Sequence, residues 1–220
     1  MFQYIRNLFQ ELNIDFLLST LQRLLAVVLC LTVHETAHGF AAYLLGDRTA
    51  KQEGRLSLNP LRHVDLVGLA LLFTAGFGWA KPVPVDPRHF RNPKRGMAVT
   101  ALAGPASNFL LAILLLLICK AIYIYNDPGS FLITVFYTLL YAVQLSIGLG
   151  LFNLLPIPPL DGSKILAAFL PDRAYYTLMR YERYGMILLL VLSLANVTGD
   201  FISDGISSVY TALINLILLG

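Results

Sequence analysis

The stretch FLLSTLQRLLAVVLCLTVHETAHGFAAYLL, residues 16–45, decides the fold. It is apolar enough to lie in a bilayer and exceeds the ~20 residues a helix needs to span the hydrocarbon core. Inside it stand His34, Glu35 and His38. An ionisable side chain at membrane depth costs at least ~2.5 kcal/mol, so two imidazoles and a carboxylate this close together require a compensating partner. A metal ion suits them. Residues four apart on a helix are offset by about 40° around the axis and ~6 Å along it, so His34 and His38 point the same way and can share one zinc. Glu35 faces beside them, where it can take a proton from water instead of ligating the ion.

The remainder of the chain belongs to the same environment. Of its 220 residues 57% are hydrophobic and 13% charged, and the mean hydropathy is +0.68. A soluble domain carries roughly a quarter charged residues. Further apolar stretches at 97–119, 131–155, 185–198 and 205–219 are joined by short connections. The expected fold class is therefore an all-α polytopic membrane protein, with about five transmembrane helices plus a re-entrant or membrane-surface β-like region after the first helix. Residues 1–15 alternate Phe2, Tyr4, Ile5, Leu8, Phe9 and Leu12 with Arg6, Asn7, Gln10 and Glu11, the pattern of an interfacial amphipathic helix. Residues 16–183 form the expected core and 184–220 a C-terminal transmembrane hairpin.

Charge and cysteine content narrow the function. A net charge of +3, with the Lys and Arg residues gathered in two loops, speaks against a nucleic-acid partner and reports topology instead. With Glu11 and Asp15 ahead of it, and the His-Glu pair inside it, the first apolar run does not read as a cleavable signal peptide. Cys30 and Cys119 lie in apolar spans without metal-binding or disulfide spacing, and read as small buried hydrophobes.

Between the first span and residue 96, Leu56-Ser57-Leu58-Asn59-Pro60 and Lys81-Pro82-Val83-Pro84-Val85-Asp86-Pro87 read as short strands and turns. The apolar segment 66–80 is too short to span and holds Gly68, Gly76 and Gly78. If it does not cross, 13 of the 16 basic residues share one side; if it crosses, the split softens to 11 against 5. The segment therefore reads as re-entrant or surface-lying, tolerated where protein covers its backbone. The N-terminus is then outside, and the active region faces the cytoplasmic side. Gly104, Pro105, Ser107 and Asn108 on 97–119 read as small and polar residues that favour close helix packing.

A catalytic zinc takes three protein ligands and leaves one position open. His63, Asp65, Asp86, His89 and Asp161 are each candidates for the third. Asp161 follows Pro156, Pro158 and Pro159, which prevent helix continuation and let an extended segment carry a carboxylate toward a recessed site. Asp161-Gly162 by itself reads as a turn.

Five motifs in order, His34-Glu35-Thr36-Ala37-His38, Gly54 to Pro60, Gly78 to Val85, Ala103 to Asn108, and Asn153 to Gly162, resemble the site-2 protease family of intramembrane zinc metalloproteases. The resemblance runs from about residue 25 to 166. It implies that His34, His38 and Asp161 bind one zinc ion, that Glu35 is the catalytic acid/base, and that Asn153 holds the substrate or the developing oxyanion. It places Asn59 and His63 at the border of the site. It also implies a transmembrane protein or peptide as substrate, the bilayer as the medium, and a prokaryotic plasma membrane as the location; a homo-oligomer is left open. Leu66 and Lys164 depart from the family pattern, where proline and a histidine or arginine are common, and neither touches the expected ligands. The 220 residues leave no room for the peptide-binding or nucleotide-sensing domains that some relatives carry. Two competing readings are a catalytically inactive zinc-binding scaffold and a metal transporter. The transporter would need polar groups through both leaflets, and here they gather toward one face.

Overall fold

The computed structural model of the chain describes residues 14–75, 78–124, 129–194 and 199–219. Most of the expected interfacial helix lies outside the described residues. Helices run Ile14–Leu44 (α1), Thr49–Gln52 (α2), Leu66–Ala75 (α3), Pro93–Ile124 (α4), Ser130–Asn153 (α5), Asp161–Ala167 (α6), Asp172–Leu194 (α7) and Gly199–Ile214 (α8), followed by a π-helical turn at Asn215–Leu219. Three of them are long and apolar enough to cross a membrane, over Leu17–Leu44, Pro93–Ile124 and Phe131–Asn153. The chain is a membrane protein.

Local chemistry sets the ends of these helices. Past α1, Gly46 takes φ +106°, a left-handed conformation that glycine adopts without penalty. Its N–H donates to Tyr43 O at 3.2 Å and that of Asp47 to Ala42 O at 2.9 Å, which satisfies carbonyls the helix end would otherwise leave open. α4 begins with Pro93, whose missing N–H is no loss in a first turn. α5 stops three residues before Pro156.

The spans pack on small residues. Ala26, Ala112, Leu115, Leu116, Ala142, Val143 and Ile147 form a buried cluster where α1, α4 and α5 meet. Fully buried Cys30 sets its sulfur 3.6 Å from Ala142 O, as the sequence suggested for a small apolar residue. α8 lies on α5 and brings Ile206, Val209, Tyr210 and Leu213 against this cluster. Leu21, Leu25, Leu110, Leu114 and Phe131 point outward, as residues facing lipid do.

Between α1 and α4 the chain folds back on itself. α3 is ten residues long, about 15 Å at the helical rise, half the depth of a bilayer core. Its flanks meet: Lys81 N–H donates to His63 O at 2.8 Å, and a side chain at Gly68 would collide with the Trp79 backbone. Arg55 Nη2 holds the carbonyls of Lys81 and Pro82 at 2.7 and 3.1 Å. The segment 78–86 is extended, yet no paired strand occurs among the described residues. Pro82 and Pro84 remove every second backbone donor, so the alternating sequence that read as strand-like has too few N–H groups for a ladder.

Candidate metal centre

His34 is buried in the C-terminal half of the apolar span Leu17–Leu44 of α1, and His38 lies one turn on. Their rings stand perpendicular, with centroids 4.6 Å apart and the two Nε2 atoms 3.0 Å apart. The third donor arrives from far along the chain. After α5 the proline-rich turn ends at Leu160, and Asp161 opens α6 with its Oδ2 3.2 Å from each histidine Nε2. Gly162 permits this approach, since a side chain there would strike the Leu154 and Leu155 carbonyls. Asp161 thus starts a helix where the isolated dipeptide suggested a turn.

These three atoms fit a metal ion. Ligands about 2.0–2.1 Å from a tetrahedral zinc lie roughly 3.3 Å from one another, close to the spacing seen. Asp161 Oδ2 is buried and makes no well-directed hydrogen bond despite lying beside both rings. Such proximity without hydrogen-bond geometry is what donors aimed at a common point produce. Burial opposes ionisation of Asp161, but the contacts from His34 and His38 outweigh it and hold the carboxyl well below the usual carboxylate range. Among the described residues, His34, His38 and Asp161 are the one group of three metal-ligating side chains brought together.

The other candidates for third ligand are occupied elsewhere. His63 is fully buried, with its Nε2 2.7 Å from Ser57 O, and ties the 54–60 stretch to α1 through Thr36, whose hydroxyl donates to the same carbonyl at 2.8 Å. Asp65 accepts from the N–H groups of Val67 and Gly68 and so caps α3. Asp86 pairs with Arg88, and His89 with Asp47. Asn59 caps the turn at Pro60–Arg62 by accepting from Leu61 N–H. Asp47 is buried and accepts from Thr49 N–H and hydroxyl, Asp86 N–H and His89 Nδ1. Burial pushes its carboxyl up, and those donors together pull it below its ordinary value.

Glu35 points to the extended segment, where its Oε2 accepts from Val83 N–H at 2.9 Å. With His34, His38, Asp161, Asn153, Val85, Met97, Lys164 and Glu182 it lines a cavity of about 320 Å³. Asn153 reaches this cavity from the last turn of α5, where one amide N–H donates to Leu149 O at 3.0 Å.

The small and polar face of α4 expected to favour close helix packing, which includes the Ala103–Asn108 motif, is also the wall behind the histidines. His38 Nδ1 lies 2.7 Å from Thr100 O, and His34 Nδ1 lies 3.2 Å from the side-chain amide of Asn108. Between them, a side chain at Gly104 would overlap both rings. Residues 100, 104 and 108 repeat the four-residue spacing of His34 and His38, a signal present in the sequence.

A helix-borne histidine pair, a distant carboxylate and a glutamate on the next residue, gathered at a cavity in a membrane bundle, define a metallohydrolase site. Comparison with known proteins agrees. The profile of Peptidase family M50 matches residues 120–195. The chain is 40% identical over 173 residues to YwhC of Bacillus subtilis, provisionally named a zinc metalloprotease, covering 76% of this chain and 78% of that protein. It is 31% identical over 171 residues to Rip2 of Mycolicibacterium smegmatis, named in the same way, covering 75% of this chain and 63% of that protein. A shorter match, 38% identical over 85 residues, covers 38% of this chain and 23% of the zinc metalloprotease MJ0392 of Methanocaldococcus jannaschii. No solved structure gives a significant match. The chain belongs to peptidase family M50, the site-2 protease family.

Proposed function

We propose that this chain is an intramembrane zinc endopeptidase whose ligands are His34, His38 and Asp161, whose acid/base is Glu35, and whose substrates are membrane-anchored proteins. The convergence of the three donors at 3.0 to 3.2 Å carries this reading. Zinc bound there supplies Lewis acidity and brings the pKa of a water toward ~7. Glu35 takes a proton from the attacking water and hands it to the departing amide nitrogen. The second amide N–H of Asn153 donates a hydrogen bond where negative charge builds on the carbonyl oxygen. A substrate helix hides its carbonyls in its own hydrogen bonds and must unwind before attack. Val83 and Val85 line the cavity, and the backbone of this segment offers the unwound peptide a short register, while the 54–60 stretch buttresses it through His63.

In this reading 66–80 is re-entrant, residues 16–183 form the catalytic core, and the last two of about five membrane helices form the hairpin of residues 184–220. The closed His63–Lys81 contact and the 13 basic residues on one side support a site toward the cytoplasmic face of a prokaryotic plasma membrane. The test is incubation of the purified chain with a panel of single-span substrates, with and without chelator, beside Glu35→Gln. Cleavage that chelator abolishes, and that E35Q lowers by about 10²–10⁴-fold with zinc retained, is the expected result. Zinc binding with no cleavage by the native chain, or an E35Q variant that cleaves normally, overturns the reading.

A further inference from the structure

We infer that Asn108 is a positioning residue that fixes His34 in the tautomer able to bind metal; this rests on the zinc reading above. A neutral imidazole carries one N–H, and the ring nitrogen that binds metal must be the bare one. For His38 the choice is made by the backbone. Thr100 O, 2.7 Å from Nδ1, can only accept, so Nδ1 carries the proton and Nε2 turns its lone pair toward the cluster. His34 needs the same arrangement, and the polar group at its Nδ1 is the side chain of Asn108.

A side-chain amide presents an oxygen or a nitrogen to a neighbour depending on a half-turn of its terminal bond, and the two are told apart by the hydrogen bonds they satisfy. With the nitrogen toward His34, Nδ1 must accept, the ring proton moves to Nε2, and it points into the space between His38 Nε2 and Asp161 Oδ2. The structure has the nitrogen on this side, 3.2 Å from His34 Nδ1, with Oδ1 buried and without a partner. With the oxygen toward His34, Oδ1 accepts from Nδ1–H and Nε2 is bare, while the amide nitrogen takes the place that lacks a partner. The count of satisfied groups is equal, and the bare Nε2 that a metal requires is what separates the two orientations. Metal binding and this orientation of Asn108 are therefore coupled. Asn108 is fully buried, and Ser146 hydroxyl donates to its backbone carbonyl at 2.9 Å, tying this turn of α4 to α5. The acceptor is held in place by two helices rather than by a mobile side chain in water. Partners of this kind on ligating histidines typically set metal affinity by 10–100-fold.

Zinc affinity of the purified full chain in detergent, by chelator competition, tests this with Asn108→Leu and Asn108→Asp. Leucine keeps the volume and removes the acceptor; aspartate keeps the acceptor. N108L is expected to bind zinc about 10–100-fold more weakly, and N108D to restore the affinity. Native affinity in N108L, or equal weakening in both variants, overturns the inference. ¹⁵N imidazole spectra of the zinc-loaded native chain read the tautomer directly even if N108L fails to fold: His34 bound through Nε2 with a protonated Nδ1 supports the inference, and His34 bound through Nδ1 refutes it. A native chain that binds no zinc refutes the metal centre itself, a different outcome from native binding that Asn108 does not influence.

Discussion

Replacing Gly104 with alanine is expected to destroy tight metal binding while leaving the helical bundle standing. A Cβ at this position lies 2.5 Å from His38 Nε2 and 2.6 Å from His34 Cε1, and overlaps His38 Cε1. Non-bonded carbons settle at about 3.5–4.0 Å, so the rings must retreat by roughly 1 Å. A metal site tolerates donor displacements of only about 0.2 Å. Neither ring has an easy retreat, because the Nδ1 of His38 is held on Thr100 O and that of His34 on Asn108. Zinc affinity should fall by about 100-fold, or ~2.8 kcal/mol, and overpacking should cost about 1–3 kcal/mol of stability. Chelator competition measures the first and a thermal melt in detergent the second. Gly205→Ala is the matched control: among the described residues its Cβ meets only Leu151 Cδ1, at 3.5 Å, and alanine is favoured in a helix interior by about 0.5–1 kcal/mol. A Gly104→Ala chain with native zinc affinity would refute the geometry assigned to the α1–α4 contact.

Two further outcomes follow from the surroundings of the centre. Val83→Pro removes the N–H that Glu35 accepts, at a position Pro84 already confines to extended backbone; losing a hydrogen bond to a charged group, about 1.5–3 kcal/mol, should cut kcat with zinc content unchanged, and an unaltered kcat would show that this bond does not orient Glu35. Because the folded-state pKa of Asp47 is depressed, its clamp on Thr49, Asp86 and His89 contributes stability above the unfolded carboxyl value of about 3.9 and loses it as pH falls through the lower folded value; limited proteolysis of the 86–92 segment should accelerate in that acid range, and Asp47→Asn should show fast cleavage already at neutral pH.

The first span and its chemistry were legible because helical periodicity acts locally: His34 and His38 share a face in any helix, whatever surrounds it. Asp161 was not legible in that way. From residue type it is one of five candidates; the proline break at 156–159 favours it locally, and the ordered motifs of the family resemblance single it out, because the contact with residue 34 depends on how distant helices pack. The structure brings those three together and gives His63, Asp65, Asp86 and His89 other partners. Asn108 and Gly104 were read through the small-residue packing rule, which holds for them and conceals their position against the rings. The strand-like reading of 81–85 weighed alternation without subtracting the donors that proline removes. The helix expected at 185–198 begins earlier, at Asp172, because Tyr175, Leu178 and Met179 continue its apolar face among charged residues.

The long separation between residues 34 and 161 also orders events in time. A nascent chain that has threaded only α1, α4 and α5 into the bilayer owns two imidazoles and no carboxylate to join them. With the ligand set proposed above, hydrolytic competence waits until the proline-rich turn and α6 have left the ribosome.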